Sequence, residues 1–166
     1  VAGYARAAFF VLGHWQYFRS VLTCDSQDTR VPLWEHVFEP NLANKQTIHR
    51  PVAMPVRDVT GDGLVDLATS VYNETGDQRW HLLLFDAATG TLLADLPDHA
   101  VDGSRDVDGN GDVELFVRQT QGPLLPAAGV VKILDWSDGQ LVPIWTYADA
   151  AFVTQDLADF PLHVNS

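Results

Sequence analysis

The stretch Asp58-Val59-Thr60-Gly61-Asp62-Gly63-Leu64-Val65-Asp66 returns as Asp106-Val107-Asp108-Gly109-Asn110-Gly111-Asp112-Val113-Glu114. In both copies an oxygen-bearing side chain stands at positions 1, 3, 5 and 9, glycine stands at position 6, and an apolar segment follows. This spacing constrains the chain more than any other feature. A hard divalent ion such as Ca²⁺ takes about six to eight oxygens at roughly 2.3–2.6 Å, and alternate positions of a tight turn converge on one point. Glycine at the sixth position permits the bend. Without an ion, two carboxylates about 4 Å apart repel by roughly 4 kcal/mol at an effective dielectric of 20. A bound cation turns that repulsion into attraction. The competing reading is an Asp/Gly-rich turn that binds nothing, and two copies in register weigh against it.

The residues after each loop decide its type. A helix-flanked calcium loop of the EF-hand or dockerin kind needs an acidic ligand at position 12. Here that position holds Thr69 or Val117, and neither supplies a carboxylate. Leu67-Ala68-Thr69-Ser70-Val71-Tyr72 and Leu115-Phe116-Val117 read instead as strands. A cation loop whose last acid, at position 9, is followed by leucine and feeds a strand resembles the FG-GAP/VCBS repeats of integrin-α-like β-propellers. The resemblance implies an all-β fold of antiparallel four-stranded blades, a partial propeller of about three to three and a half blades. It also implies two structural Ca²⁺ ions. Asp58, Thr60, Asp62 and Asp66 are expected to hold one, and Asp106, Asp108, Asn110 and Glu114 the other. The backbone carbonyls of Leu64 and Asp112 are the expected position-7 ligands.

Repeat units of similar plan lie downstream of the loops. His81-Leu82-Leu83-Leu84-Phe85, a turn over Asp86 to Gly90, and Thr91-Leu92-Leu93-Ala94 form the clearest unit. Val130-Val131-Lys132-Ile133-Leu134, a turn over Asp135 to Gly139, and Gln140 to Trp145 repeat it. Ser20 to Thr23 and Val31 to Trp34 answer in the N-terminal region. Val31-Pro32-Leu33-Trp34 matches Val142-Pro143-Ile144-Trp145 closely. Proline donates no ladder hydrogen bond, so both segments are expected on sheet edges, with Trp34 and Trp145 packing between units.

This arrangement divides one repeat region over 1–166. An incomplete unit with a long connection fills 1–50, two units with cation loops fill 51–98 and 99–149, and 150–166 opens a further unit. Residues 38–50 and 119–127 are expected as surface loops. Asp156 falls where a third loop would begin, but no glycine and no oxygen ligand at positions 3 or 5 follow it, so no ion is expected there. Residues 148–160 are expected as a strand pair. Ala7 to Leu12 lacks the basic flank and cleavage pattern of a signal peptide and reads as a strand of mature protein.

Charge and composition narrow the function classes. The formal charge is −12, with only 10 Lys and Arg and no basic cluster, which argues against a nucleic-acid partner. No apolar run approaches the length of a membrane span. Cys24 stands alone, excludes an intramolecular disulfide and is expected as an inert thiol. Asn73-Glu74-Thr75 is a glycosylation sequon that matters only in a eukaryotic secretory pathway. His14, His36, His49, His81, His99 and His163 show no metal-protease spacing, and no GxSxG elbow occurs, so no catalytic constellation is expected.

The family resemblance implies a secreted or cell-surface module whose propeller binds a protein or glycan. Two other classes stand beside it. One is the propeller part of a polysaccharide-degrading enzyme. The other is a structural subunit assembled through its sheet edges, by self-association or with the remainder of a larger propeller.

Overall fold

The computed structural model describes residues 10–16, 19–25, 32–37, 46–48, 56–73 and 76–151. These are built from strands and turns, with no helix among them. Strands β1 (Phe10–Gln16), β2 (Arg19–Asp25) and β3 (Pro32–Val37) form a first antiparallel sheet in that order. The second sheet runs β4 (Gln46–Ile48), β6 (Asp66–Asn73), β7 (Trp80–Asp86), β8 (Leu92–Pro97), with β5 (Val56–Arg57) pairing the other half of β6. The third holds β9 (His99–Arg105), β10 (Glu114–Gln119), β11 (Ala128–Ser137) and β12 (Gln140–Ala151), with β12 and β9 at its edges.

The sheets pack face on face with the second in the middle. Side chains alternate across a strand, so β6 and β7 must bury both faces. Leu67, Val71, Leu83, Phe85 and Ala87 form one cluster with Trp34 of the first sheet packed on it. On the opposite face Ala68, Leu82 and Leu84 join Val101, Leu115, Val117 and Leu134 of the third sheet, together with Val59. The unbroken apolar run Leu82 to Phe85 follows from this double burial.

A register shift marks the pairing of the last two strands in every sheet. Register shifts between Cys24 and Asp25, between Leu84 and Phe85, and between Ile133 and Leu134. The bulge makes Trp34, Ala94 and Trp145 structurally equivalent, since they pair with Cys24, Leu84 and Ile133. Pro32 and Pro143 do lie on edge strands β3 and β12. At each pair the proline adjoins the residue that the bulge skips, a place where a missing N–H is tolerated.

Several expectations need correction. Residues 46–48, expected within a surface loop, form β4 and pair with Val71 to Asn73, the part of β6 beyond the reach of two-residue β5. His99–Arg105, with internal Asp and Gly, carries no strand signal in sequence, yet it forms β9 because it completes the ladder of β10. Strand β12 continues to Ala151, past Trp145, where the returning strand was expected to end. Trp145, expected to pack between units, is 48% exposed. Ala7 to Phe9, the body of the long connection, the 152–160 segment with Asp156, residues 74 and 75 of the sequon, and the Cys24 side chain lie outside the described residues.

Candidate metal centre

Each loop is wound by its first aspartate. Asp58 Oδ1 accepts from the Gly61 amide at 2.8 Å and Oδ2 from the Gly63 amide at 2.9 Å. Asp106 does the same with Gly109 and Gly111, at 2.5 and 3.2 Å. Those amides turn inward only because the fourth and sixth residues adopt positive φ: 73° and 84° in the first loop, 82° and 106° in the second. Position 5 caps the amide of position 7 in both copies, Asp62 to Leu64 at 2.8 Å and Asn110 to Asp112 at 3.1 Å. Asp108 Oδ1 also accepts from the Asn110 amide at 3.0 Å. The expected strands follow both loops, as β6 and β10.

The ninth position separates the copies. Asp66 is 2% exposed, and its Oδ2 accepts from Val59 N at 2.9 Å, Thr60 N at 3.0 Å and Thr60 Oγ1 at 3.1 Å. Glu114 is fully buried. Its Oε2 accepts from Val107 N at 2.7 Å, while its Oε1 has no hydrogen-bond partner. Carboxylate oxygens of Asp106, Asp108 and Glu114 lie within 4.8 Å of one another, and among the described residues no other acidic or histidine trio does so. Asp58, Asp62 and Asp66 are therefore not drawn together in that way. The side chain of Leu64 is exposed.

Electrostatics follows this geometry. Burial pushes the Glu114 carboxyl above its ordinary value, the Val107 amide and its own backbone amide pull it back, and the charges of Asp108 and Asp135 push it up again. Burial also raises Asp66, against the pull of the Val59 and Thr60 hydrogen bonds, with Asp62 adding to the rise. An uncompensated buried carboxylate is costly, and a cation at Asp106, Asp108 and Glu114 would compensate it.

The loops also touch each other, a link with no sequence signal. Val113 N donates to the carbonyl of Asp58 at 2.9 Å, and a Cβ on Gly61 would lie 2.9 Å from Asp112 Oδ2. The Asp112–Val113 peptide thus hands its N–H to the first loop. In a trans peptide its carbonyl points the opposite way, away from the Asp58 carbonyl. Other polar groups serve packing: Ser70 Oγ accepts from Val101 N at 2.8 Å, and Arg118 pairs with Asp102 while donating to the Pro126 carbonyl. His99 donates from Nδ1 to the Pro97 carbonyl at 2.8 Å, leaving Nε2 as acceptor for Lys132 Nζ at 3.0 Å. Burial lowers its pKa, as that neutral role requires.

Comparison of the chain with protein-family models, with curated proteins and with solved structures yields no match.

Proposed function

We propose that the chain is a calcium-stabilised β-sheet repeat module of the FG-GAP/VCBS kind, in which Ca²⁺ is structural. The observation that carries this reading is the buried, unpartnered Oε1 of Glu114 beside Asp106 and Asp108. Buried polar atoms are nearly always paired, so an orphan oxygen in an acidic trio calls for a positive ligand. Side-chain oxygens of Asp106, Asp108, Asn110 and Glu114 with the Asp112 carbonyl make an all-oxygen donor set, which suits Ca²⁺. Mg²⁺ keeps several waters and competes poorly for such a set. The first loop, with Asp58, Thr60, Asp62, Asp66 and the Leu64 carbonyl, takes a second ion more weakly, because its own donors already satisfy Asp66 Oδ2 and its three carboxylates are not drawn together as those of the second loop are.

Three sheets stacked face on face support a blade-like arrangement, and the ions brace the turns that enter β6 and β10. The reading carries an expected affinity of roughly 10⁻⁴–10⁻³ M, the range typical of extracellular modules, and a protein or glycan as ligand outside the cell. Thermal melting with chelator, with millimolar Ca²⁺ and with millimolar Mg²⁺ tests the reading. Ca²⁺ raises the melting temperature and Mg²⁺ raises it much less; equal melting in all three removes the proposal.

A further inference from the structure

The three equivalent positions after the bulge follow one rule. In the first sheet Trp34 stacks on Phe85 of the second, with ring centroids 5.9 Å apart, and its Nε1 donates to the Ala87 carbonyl at 2.8 Å. Two residues on, His36 meets the same Phe85 edge-on at 4.9 Å. In the second sheet the equivalents are Ala94 and Leu96, and both pack on the cluster shared with the third sheet. In the first two sheets this position pair on the last strand packs against the next sheet.

In the third sheet the pair is Trp145 and Tyr147, opposite Ile133 and Val131. They are 48% and 51% exposed, and among the described residues their rings stack on each other, centroids 6.0 Å apart and 15° between planes. Phe116, Val131 and Ile133 on the same face are half-buried, whereas Ala68, Leu82 and Leu84, their counterparts in the second sheet, are buried. Exposed aromatics on an apolar strip of this kind mark an interaction site, here bordered by Arg118 opposite Val131 and its ion pair with Asp102. At the other end of the stack, the face of β3 turned away from the second sheet shows Leu33, 56% exposed, and exposed Glu35.

We propose that the open face of the third sheet docks the outer face of the first sheet of a second copy of this chain, head to tail. The chain makes this sheet-on-sheet contact twice internally, so the new contact continues an interface already built, with Trp145 and Tyr147 in the roles of Trp34 and His36. The surfaces differ, so the contact is heterologous: it closes a ring or extends a filament according to the rotation between copies. It is independent of the ion reading and holds with or without Ca²⁺ binding.

Sedimentation of the full chain at increasing concentration, with Trp145→Arg and Leu33→Arg variants alone and mixed, tests it. Wild type self-associates, and each variant alone has its affinity cut by roughly thirty-fold or more, the scale of a central aromatic anchor. The two variants mixed form a one-to-one complex, because each keeps the face that the other lost. A melting curve for each variant matching wild type shows that the fold is kept; if Trp145→Arg melts early, Tyr147→Glu takes its place. A wild type that stays monomeric at high concentration overturns the proposal. So does a Leu33→Arg chain that still dimerises by itself, which would mean like faces pairing, and so does a monomer whose Trp145 is shielded from a soluble quencher, which would mean that the chain covers its own face.

Discussion

At Asp66 three donors converge on one carboxylate oxygen, whereas at Glu114 one oxygen takes the Val107 amide and the other is buried without a partner. The two loops share a backbone path, yet they manage their innermost charge in different ways. The cause is the third residue. The hydroxyl of Thr60 donates to the acid at position 9 and relieves it. The carboxylate of Asp108 donates nothing and adds a second negative charge, and the extra methylene of Glu114 carries its group into the same small space. One repeat thus gives a turn whose inner acid is hydrogen-bonded by its own loop and a turn whose inner acid keeps one buried oxygen unpaired.

The largest contrast is in ion-dependent stability. Ca²⁺ at about 100 times its dissociation constant stabilises the native state by about 2.7 kcal/mol, worth about 5–10 °C in a domain of this size. Asp108→Ala or Glu114→Gln should remove most of that shift in a melting experiment, and Asp62→Ala only a small part of it. If Asp62→Ala abolishes more than either, the ranking of the loops is reversed.

In the ion-free protein the order inverts. Asp66→Ala strands the buried Val59 amide and should cost about 2–3 kcal/mol in urea denaturation. Glu114→Gln removes an unpaired buried charge at constant shape and should stay within about 1 kcal/mol of wild type, or exceed it. Thr60→Asp sharpens the test from the other side. It should make the first loop resemble the second, with lower ion-free stability by about 1 kcal/mol and a stronger Ca²⁺ response.

The pH dependence isolates Glu114. Its folded pKa is raised, so the penalty is fully present above that folded value and fades as pH falls toward the ordinary value of 4.5. Half-buried His36 and buried His99 act the other way, since their lowered pKa values cost stability as pH falls through 6.5. The difference between wild type and Glu114→Gln cancels the histidines. Without Ca²⁺, wild type should gain on the variant during acidification, measured by denaturation at several pH values; a gap independent of pH would mean that Glu114 is not strained.

The smallest effect concerns the loop contact. Alanine at either Gly61 or Gly109 must adopt left-handed φ, at a cost of about 1–2 kcal/mol. Only at Gly61 does the new methyl meet Asp112 Oδ2, while nothing lies within 4 Å at Gly109. Gly61→Ala should therefore be the more destabilising by less than about 1 kcal/mol, and equal costs would show the loops to be independent.

Much of this was legible in the chain. The loops announce their turns because Asp at position 1 and Gly at position 6 have one geometric use together, and Leu67 to Tyr72 announces a strand by its β-branched and aromatic content. The Pro-Leu-Trp and Pro-Ile-Trp match proved to mark the bulge of an edge strand. Strand β9 was not legible, since Asp102 and Gly103 lie in it for pairing reasons that only the partner strand supplies. Nor was the inequality of the loops. Both present oxygen at the same four positions, and a threonine counts as a ligand in a motif even where its hydroxyl is turned to a neighbour.

The central claim is that Glu114 Oε1 is a cation ligand in waiting. Titration calorimetry of the wild type and of Glu114→Gln with Ca²⁺, at fixed ionic strength, addresses it directly. The account predicts a saturable component with a dissociation constant of roughly 10⁻⁴–10⁻³ M in the wild type, lost in the variant, whose circular dichroism is unchanged. Identical Ca²⁺ isotherms for the two proteins would contradict it.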